Sequence, residues 1–231
     1  MYDRWKPGMG TALLVLACYI LLVGAARYNL TASADAEASL PVTVVLDAGH
    51  GGFDGGAVSC SGEKESVINL QIAARVEQML ALCGIRTQMI RRDDSAAAAT
   101  KTEDLKNRVR AADGAVNGLL VSIHQNHFAD SRYSGAQVFY APTTGSKALA
   151  QALQDALRDG LDPANDRQIK PADSVYLLQK IQCTGALVEC GFLSNAEEEY
   201  RLRQGSYQTK VACAICAGIG AYLEGERNLE V

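Results

Sequence analysis

His50, Glu65, His124 and Glu189 are the side chains of this sequence whose types and placement suit catalysis. The apolar run from Val42 to Leu46 leads through Asp47 and Gly49 to His50, Leu119 to Ile123 leads to His124, and Ala186 to Val188 leads to Glu189. Glu65 opens the helical pattern after the first run, and composition alone does not separate it from Glu63. In an open α/β sheet, ligands gather in the crevice outside the carboxyl ends of the strands, so polar groups just beyond several strands can converge there. Two imidazoles and one carboxylate are a nitrogen and oxygen set suited to catalytic zinc, which keeps a further position open for water. A second carboxylate beside that water can take its proton.

Plainer roles compete with these. A lone histidine usually fills a structural role, but two of the three histidines, His50 and His124, each end a strand-like run, which favours ligation. The glycine-crowded segment 49–56 lets the backbone turn sharply and leaves the imidazole uncovered. It has neither the Gly-Lys-Ser/Thr ending of a phosphate loop nor the Gly-x-Gly-x-x-Gly spacing, so both nucleotide readings fail. Acidic residues at a helix start are common as dipole partners, the plain reading of Glu63 and Glu65. Glu189 is harder to dismiss: within the apolar run from Ala186 to Phe192 a carboxylate is costly to bury without a partner, and a nearby cation removes that cost. Cys190, and the pair Cys213 and Cys216 inside an apolar helical pattern, read as small core residues, since nothing nearby would lower a thiol pKa. The seven cysteines form no disulfide framework, and in an exported chain the odd number leaves one thiol unpaired within the monomer.

Around these residues, strand-like runs at 42–47, 86–90, 119–123, 136–140 and 185–189 alternate with helix-like patterns between Ile68 and Leu80, between Leu105 and Ala112, from Ala148 to Leu157 and from Val211 to Leu223. That alternation predicts a single α/β domain with a mostly parallel twisted sheet and helices on both faces. Thr102 reads as an N-cap, with Glu103 and Asp104 in the first turn and Arg108 and Arg110 later to suit the dipole, so this segment needs no catalytic explanation. Residues 160–174 read as a long surface loop, of a kind that often serves as a lid or binding loop.

A chain of 231 residues holds one such domain with a sizeable core. Its 22 basic and 26 acidic residues are interspersed, with no basic stripe and interleaved aromatics to follow a phosphate backbone, which argues against a nucleic-acid partner. No charged residue falls between Pro7 and Ala26, and Arg4 and Lys6 precede this stretch. Residues 1–27 are therefore expected to be a signal peptide or a retained membrane anchor, with 28–41 as a linker, 42–224 as the catalytic domain and 225–231 as a tail. Either fate of the first segment places the domain outside the cytoplasm.

Four ordered motifs carry a resemblance. The chain resembles the zinc-dependent N-acetylmuramoyl-L-alanine amidases of the amidase 3 family in Asp-x-Gly-His-Gly-Gly at Asp47 to Gly52 and in Gly-x-x-Glu-x-x-Ile-Asn-Leu at Gly62 to Leu70. Ser-Ile-His-x-Asn at Ser122 to Asn126 and Val-Glu-x-Gly-Phe-Leu-Ser-Asn at Val188 to Asn195 complete the set. The resemblance selects Glu65, not Glu63, and implies that His50, Glu65 and His124 hold Zn2+ while Glu189 is the catalytic carboxylate. It also implies that the substrate is peptidoglycan, cut at the amide between N-acetylmuramic acid and L-alanine. Further matches at Lys101 to Leu105, Ser134 to Gln137 and Tyr176 to Gln179 resemble the germination-specific, spore-cortex branch of the family, whose members also begin with a membrane segment. His127 stands where the family has a small residue, and reads as a neighbour of the site. The rivals are another zinc amide hydrolase, such as a stem-peptide carboxypeptidase, and a wall-binding module without chemistry. Whether an activating protein partner is needed is left open at this point.

Overall fold

The computed structural model describes residues 41–229, and the expected signal or anchor segment and linker lie outside them apart from Pro41. Among the described residues no helix is long and apolar enough to cross a membrane. Six strands form one sheet: β1 (Thr43–Ala48), β2 (Arg86–Met89), β3 (Gly118–Asn126), β4 (Gln137–Tyr140), β5 (Lys170–Pro171) and β6 (Thr184–Phe192). Their order is β2-β1-β3-β6-β4-β5, with β2, β1, β3 and β6 parallel to one another and β4 antiparallel to β6. The expected single, mostly parallel α/β domain is therefore what forms.

Alternation along the central strands divides the core. Val44, Leu46, Val121, Ile123, Ala186 and Val188 face one apolar layer, built with helices α1 (Glu65–Leu82), α3 (Ser146–Leu161) and α6 (Gly205–Leu229). Val45, Leu120 and Leu187 face a smaller layer beneath α2 (Lys101–Asp113) and the short α4 (Tyr176–Lys180). Burial on both sides explains why these strands read as continuous apolar runs. The remaining helix among the described residues, α5 (Ala196–Leu202), follows β6 and is capped by Asn195, whose side chain accepts from the backbone N–H groups of Glu197 and Glu198.

Three local expectations are corrected. The N-cap of α2 is Thr100, not Thr102: its hydroxyl accepts from Glu103 N at 3.3 Å, matching the Thr-x-x-Glu spacing of a capping box and leaving Thr102 inside the first turn. Arg108 does not serve the helix dipole at the surface; it is buried and ties α2 to the end of β1. Cys213 lies exposed on α6 and is no core residue, whereas Cys190 is packed in the interior as expected, with burial pushing its thiol pKa well up. Of the stretch read as a loop, Gly160 and Leu161 still belong to α3 and Lys170–Pro171 pairs with β4.

Candidate metal centre

The carboxyl ends of β1, β3 and β6 lie side by side, and the site is assembled there. His124 is in register with Glu189 across β3 and β6, and Glu189 with Gln137 across β6 and β4. Residues paired across neighbouring strands project to the same face, so His124, Glu189 and Gln137 form a row. The β3–β6 register shifts between His124 and Asn126, an irregularity of the kind that re-aims side chains beside active sites.

His50 enters this row from the turn after β1 with φ of +62°, in the left-handed region that a β-carbon disfavours. Strained backbone of this kind persists only where the surroundings over-determine it. Here two buried arginines do so. Arg91 donates to Ala48 O, Gly49 O and Ser66 O at 2.7–3.0 Å, while Arg108 donates to Ala48 O at 3.0 Å and His50 O at 2.7 Å. Arg108 also pairs with Asp47 and Asp104, and Ser122 donates to the second Asp47 oxygen at 2.6 Å. Burial alone would raise the Asp47 pKa, but Arg108 outweighs it and holds the carboxylate below its usual range.

Two glycines leave room for the rings. A β-carbon at Gly49 would stand 2.2 Å from the His124 ring, and one at Gly56, where φ is +70°, would stand 2.5 Å from Glu65 Oε2. At these two positions a side chain would displace the ring or the carboxylate.

Glu65, the first residue of α1, lies between the two imidazoles. Its Oε1 is 2.9 Å from His124 Nδ1 and accepts from Asn69 Nδ2 and Gln125 N, each at 3.1 Å. Its Oε2 lies 3.3 Å from His50 Nε2 and accepts from Ala57 N at 2.9 Å. Asn69 is itself held by Gly49 O and by Gln125 Nε2, and Asp54 lies 3.0 Å from His50 Nδ1, off the ring axis, while pairing with Lys101. Burial alone would raise the Glu65 pKa; hydrogen bonds from His124 and His50 outweigh it and hold the group ionised far below the carboxylate range. The pKa of His124 responds in the opposite sense, since burial would lower it and the Glu65 hydrogen bond and charge raise it.

His50, Glu65 and His124 each offer a ligand atom within 4.8 Å of the others, the group of metal-ligating type that the described residues contain. Tetrahedral zinc with bonds of about 2.0–2.1 Å sets its ligand atoms about 3.3 Å apart. The two imidazoles approach different oxygens of Glu65, at 3.3 Å and 2.9 Å, and lie 76° apart, so the donor set suits such an ion by type and proximity. Glu63 and the exposed His127 are outside this group.

Glu189 contrasts with Glu65. Its Oε2 is buried with no hydrogen-bond partner in the protein, and burial pushes its pKa up to about 7, with the Glu65 charge adding to the rise and His124 opposing it. A carboxylate poised near neutrality beside a place for a cation has the properties of a general base.

Sequence reasoning did not find Arg91, Arg108, Ser122 and Gln125. The signal was available in Asp47: a carboxylate inside an apolar strand demands a buried cation, the argument that singled out Glu189.

Comparison with known proteins shows the family of the chain. A family profile described as N-acetylmuramoyl-L-alanine amidase, of the amidase 3 type, matches residues 44–221. The germination-specific N-acetylmuramoyl-L-alanine amidase of Bacillus subtilis (strain 168) is 38% identical over 198 residues, which cover 80% of this chain and 82% of that one. Among solved structures, the CwlD amidase from Clostridioides difficile, determined in complex with the GerS lipoprotein, superposes with a TM-score of 0.75 at 38% identity over 79% of this chain and 98% of that chain. The catalytic domain of CwlV from Bacillus (Paenibacillus) polymyxa var. colistinus does so with a TM-score of 0.68 at 32% identity, over 80% and 99%.

Proposed function

We propose, from the premise that this chain belongs to the amidase 3 family of N-acetylmuramoyl-L-alanine amidases, that it cuts peptidoglycan at this centre with a zinc ion held by His50, Glu65 and His124 and with Glu189 as base. The observation that carries the reading is the junction of two imidazoles and an ionised carboxylate with a second, uncompensated carboxylate next to them.

Bound there, zinc would supply Lewis acidity, polarising the scissile carbonyl and acidifying the attacking water. The protein's own groups do the rest. Asn69, Gln125 N and Ala57 N hold Glu65 in a single orientation, and Asp54 faces the far nitrogen of His50, which is how outer groups orient metal ligands. Glu189 accepts the proton of the water as its oxygen bonds to the carbonyl carbon. It returns that proton to the L-alanine nitrogen as the carbon–nitrogen bond breaks, leaving the lactyl group as an acid and the peptide with a free amine.

The germination-specific name of the Bacillus relative supports a role in the spore cortex, and a peptidoglycan substrate supports a location outside the cytoplasm. The lipoprotein in the Clostridioides complex supports a protein partner for this chain as well. The N-terminal apolar segment would act as anchor or signal. Product analysis tests the reaction: digestion of peptidoglycan should expose new amino groups on L-alanine with zinc-loaded protein. Release of terminal D-alanine in their place would replace the reading with a carboxypeptidase, and absence of both products and of bound zinc would leave a wall-binding module.

A further inference from the structure

Beyond Glu189 the row of side chains continues across β4 to a cation with no counter-ion. Gln137, in register with Glu189, is buried and points to the same face. Its Oε1 accepts from Arg167 Nη1 at 3.3 Å, and Arg167 Nε donates to Ser134 O at 2.6 Å. The guanidinium carbon lies 4.7 Å from the centre of the Phe192 ring and 5.8 Å from that of Tyr133. Arg167 is thus held by two hydrogen bonds and two rings, while among the described residues no carboxylate comes within ion-pair distance and no hydrogen bond leaves Nη2.

The support beneath it is equally fixed. Asn165 is buried, accepts from Arg167 N at 3.1 Å and donates to Ala136 O at 2.8 Å. Glu198 accepts from Gly135 N at 3.0 Å and Phe192 N at 2.8 Å, tying the Ser134 turn to the end of β6. Arg158 donates to Asn165 O and Arg167 O, which binds the segment to α3. The stretch that reads as a surface loop is thus tied down beside the site by Asn165, Arg158 and Arg167. An arginine held by two hydrogen bonds and two rings, half-buried and without a carboxylate partner, presents its charge to an incoming anion.

We propose that Arg167 binds a carboxylate of the stem peptide, that of the residue following the scissile L-alanine, and so sets which way the peptide runs from the cut. This rests on the amidase reading. The glycan of the substrate carries hydroxyl and acetamide groups, so its peptide is the part with charge for an arginine to meet. The reach agrees. Strands stand about 4.7–4.9 Å apart, which with the 3.3 Å from Gln137 puts the guanidinium roughly 8 Å from the Glu189 carboxylate. Two residues of extended chain span roughly 7 Å. A peptide leaving the cut across β4, along this row, would therefore bring its second residue's carboxylate to Nη2.

The test compares N-acetylmuramoyl-L-alanyl-D-glutamate with its D-isoglutamine counterpart, in which that carboxylate is a carboxamide, using the zinc-loaded full chain. Wild-type protein should favour the carboxylate by roughly tenfold or more in kcat/KM, mainly through KM, the scale of one charge-assisted hydrogen bond. Arg167→Gln should abolish the preference, and Arg167→Lys should retain part of it. The ratio between two substrates is measured within each protein, so a general loss of folded enzyme does not move it. Equal use of both substrates by wild type, or a preference that survives Arg167→Gln, would overturn the proposal. Failure of wild type to cut either one between muramic acid and L-alanine would instead remove the amidase reading, and the proposal with it.

Discussion

Glu65 and Glu189 are two carboxylates on opposite sides of one small site, and their surroundings drive them to opposite states. On the α1 side, Glu65 receives backbone N–H groups from Ala57 and Gln125, an amide from Asn69 and both imidazoles, and stays ionised. On the β6 side, Glu189 faces the site with an oxygen that nothing in the protein satisfies, and its pKa rises to about 7. Pairs of titratable groups pushed apart in this way suit the roles proposed for them, Glu65 as ligand and Glu189 as base. The difference is made by connectivity: a helix N-terminus and two turns crowd donors onto one carboxylate, whereas a strand end offers the other none.

The comparison breaks most completely on the ligand side. Substituting His50→Ala should abolish zinc binding and turnover together, read as metal content by elemental analysis and as amine release, and zinc retained at full occupancy would refute ligation. On the base side, Glu189→Gln should keep zinc and lose roughly a hundredfold to ten-thousandfold in kcat, as expected of a positioned base, and a wild-type rate would refute its role.

The same substitution sharpens the contrast through pH. Because the folded-state pKa of Glu189 is raised above its ordinary 4.5 to about 7, the metal-free protein binds more protons at this group than the unfolded chain does. It therefore loses stability as pH rises through that window. Metal-free Glu189→Gln should lack that component of the loss in chemical denaturation between pH 4.5 and 7, and a pH dependence identical to wild type would contradict the raised pKa.

Arg108 supports the ligand side from behind. Its removal in Arg108→Ala strands the buried Asp47 carboxylate and should cost about 3–5 kcal/mol in urea unfolding, whereas loss of a surface arginine would cost almost nothing. Thr100→Ala should cost about 1 kcal/mol as a lost N-cap, and Thr102→Ala clearly less; the reverse order would restore the cap to Thr102.

Much of this was legible beforehand because it is encoded locally. Strands such as β1, β3 and β6, buried on both faces, must be continuous apolar runs, and a polar residue that ends such a run is visible without coordinates. The same holds for the helix start at Glu65 and the glycines of the His50 turn. What escaped was coupling between segments distant in the chain. Arg108 read as a dipole partner because its position late in α2 permits that, and only contact with Asp47, 61 residues earlier, assigns it elsewhere. Residues 160–174 read as a loop because their composition is loop-like, while the bonds of Asn165, Arg158 and Arg167 that fix part of the stretch reach other elements.

The sequence by itself determined the class of fold, the strand ends where polar groups gather and motifs that match a known family, since periodicity and motif spacing are properties of neighbouring residues. Tertiary structure alone decided which carboxylate is satisfied and which is left bare, how a strained His50 is held, and that an unpaired arginine stands beyond Glu189. Those outcomes depend on burial and on donors arriving from other segments, which acquire a partner and a local dielectric only when the chain has closed around them.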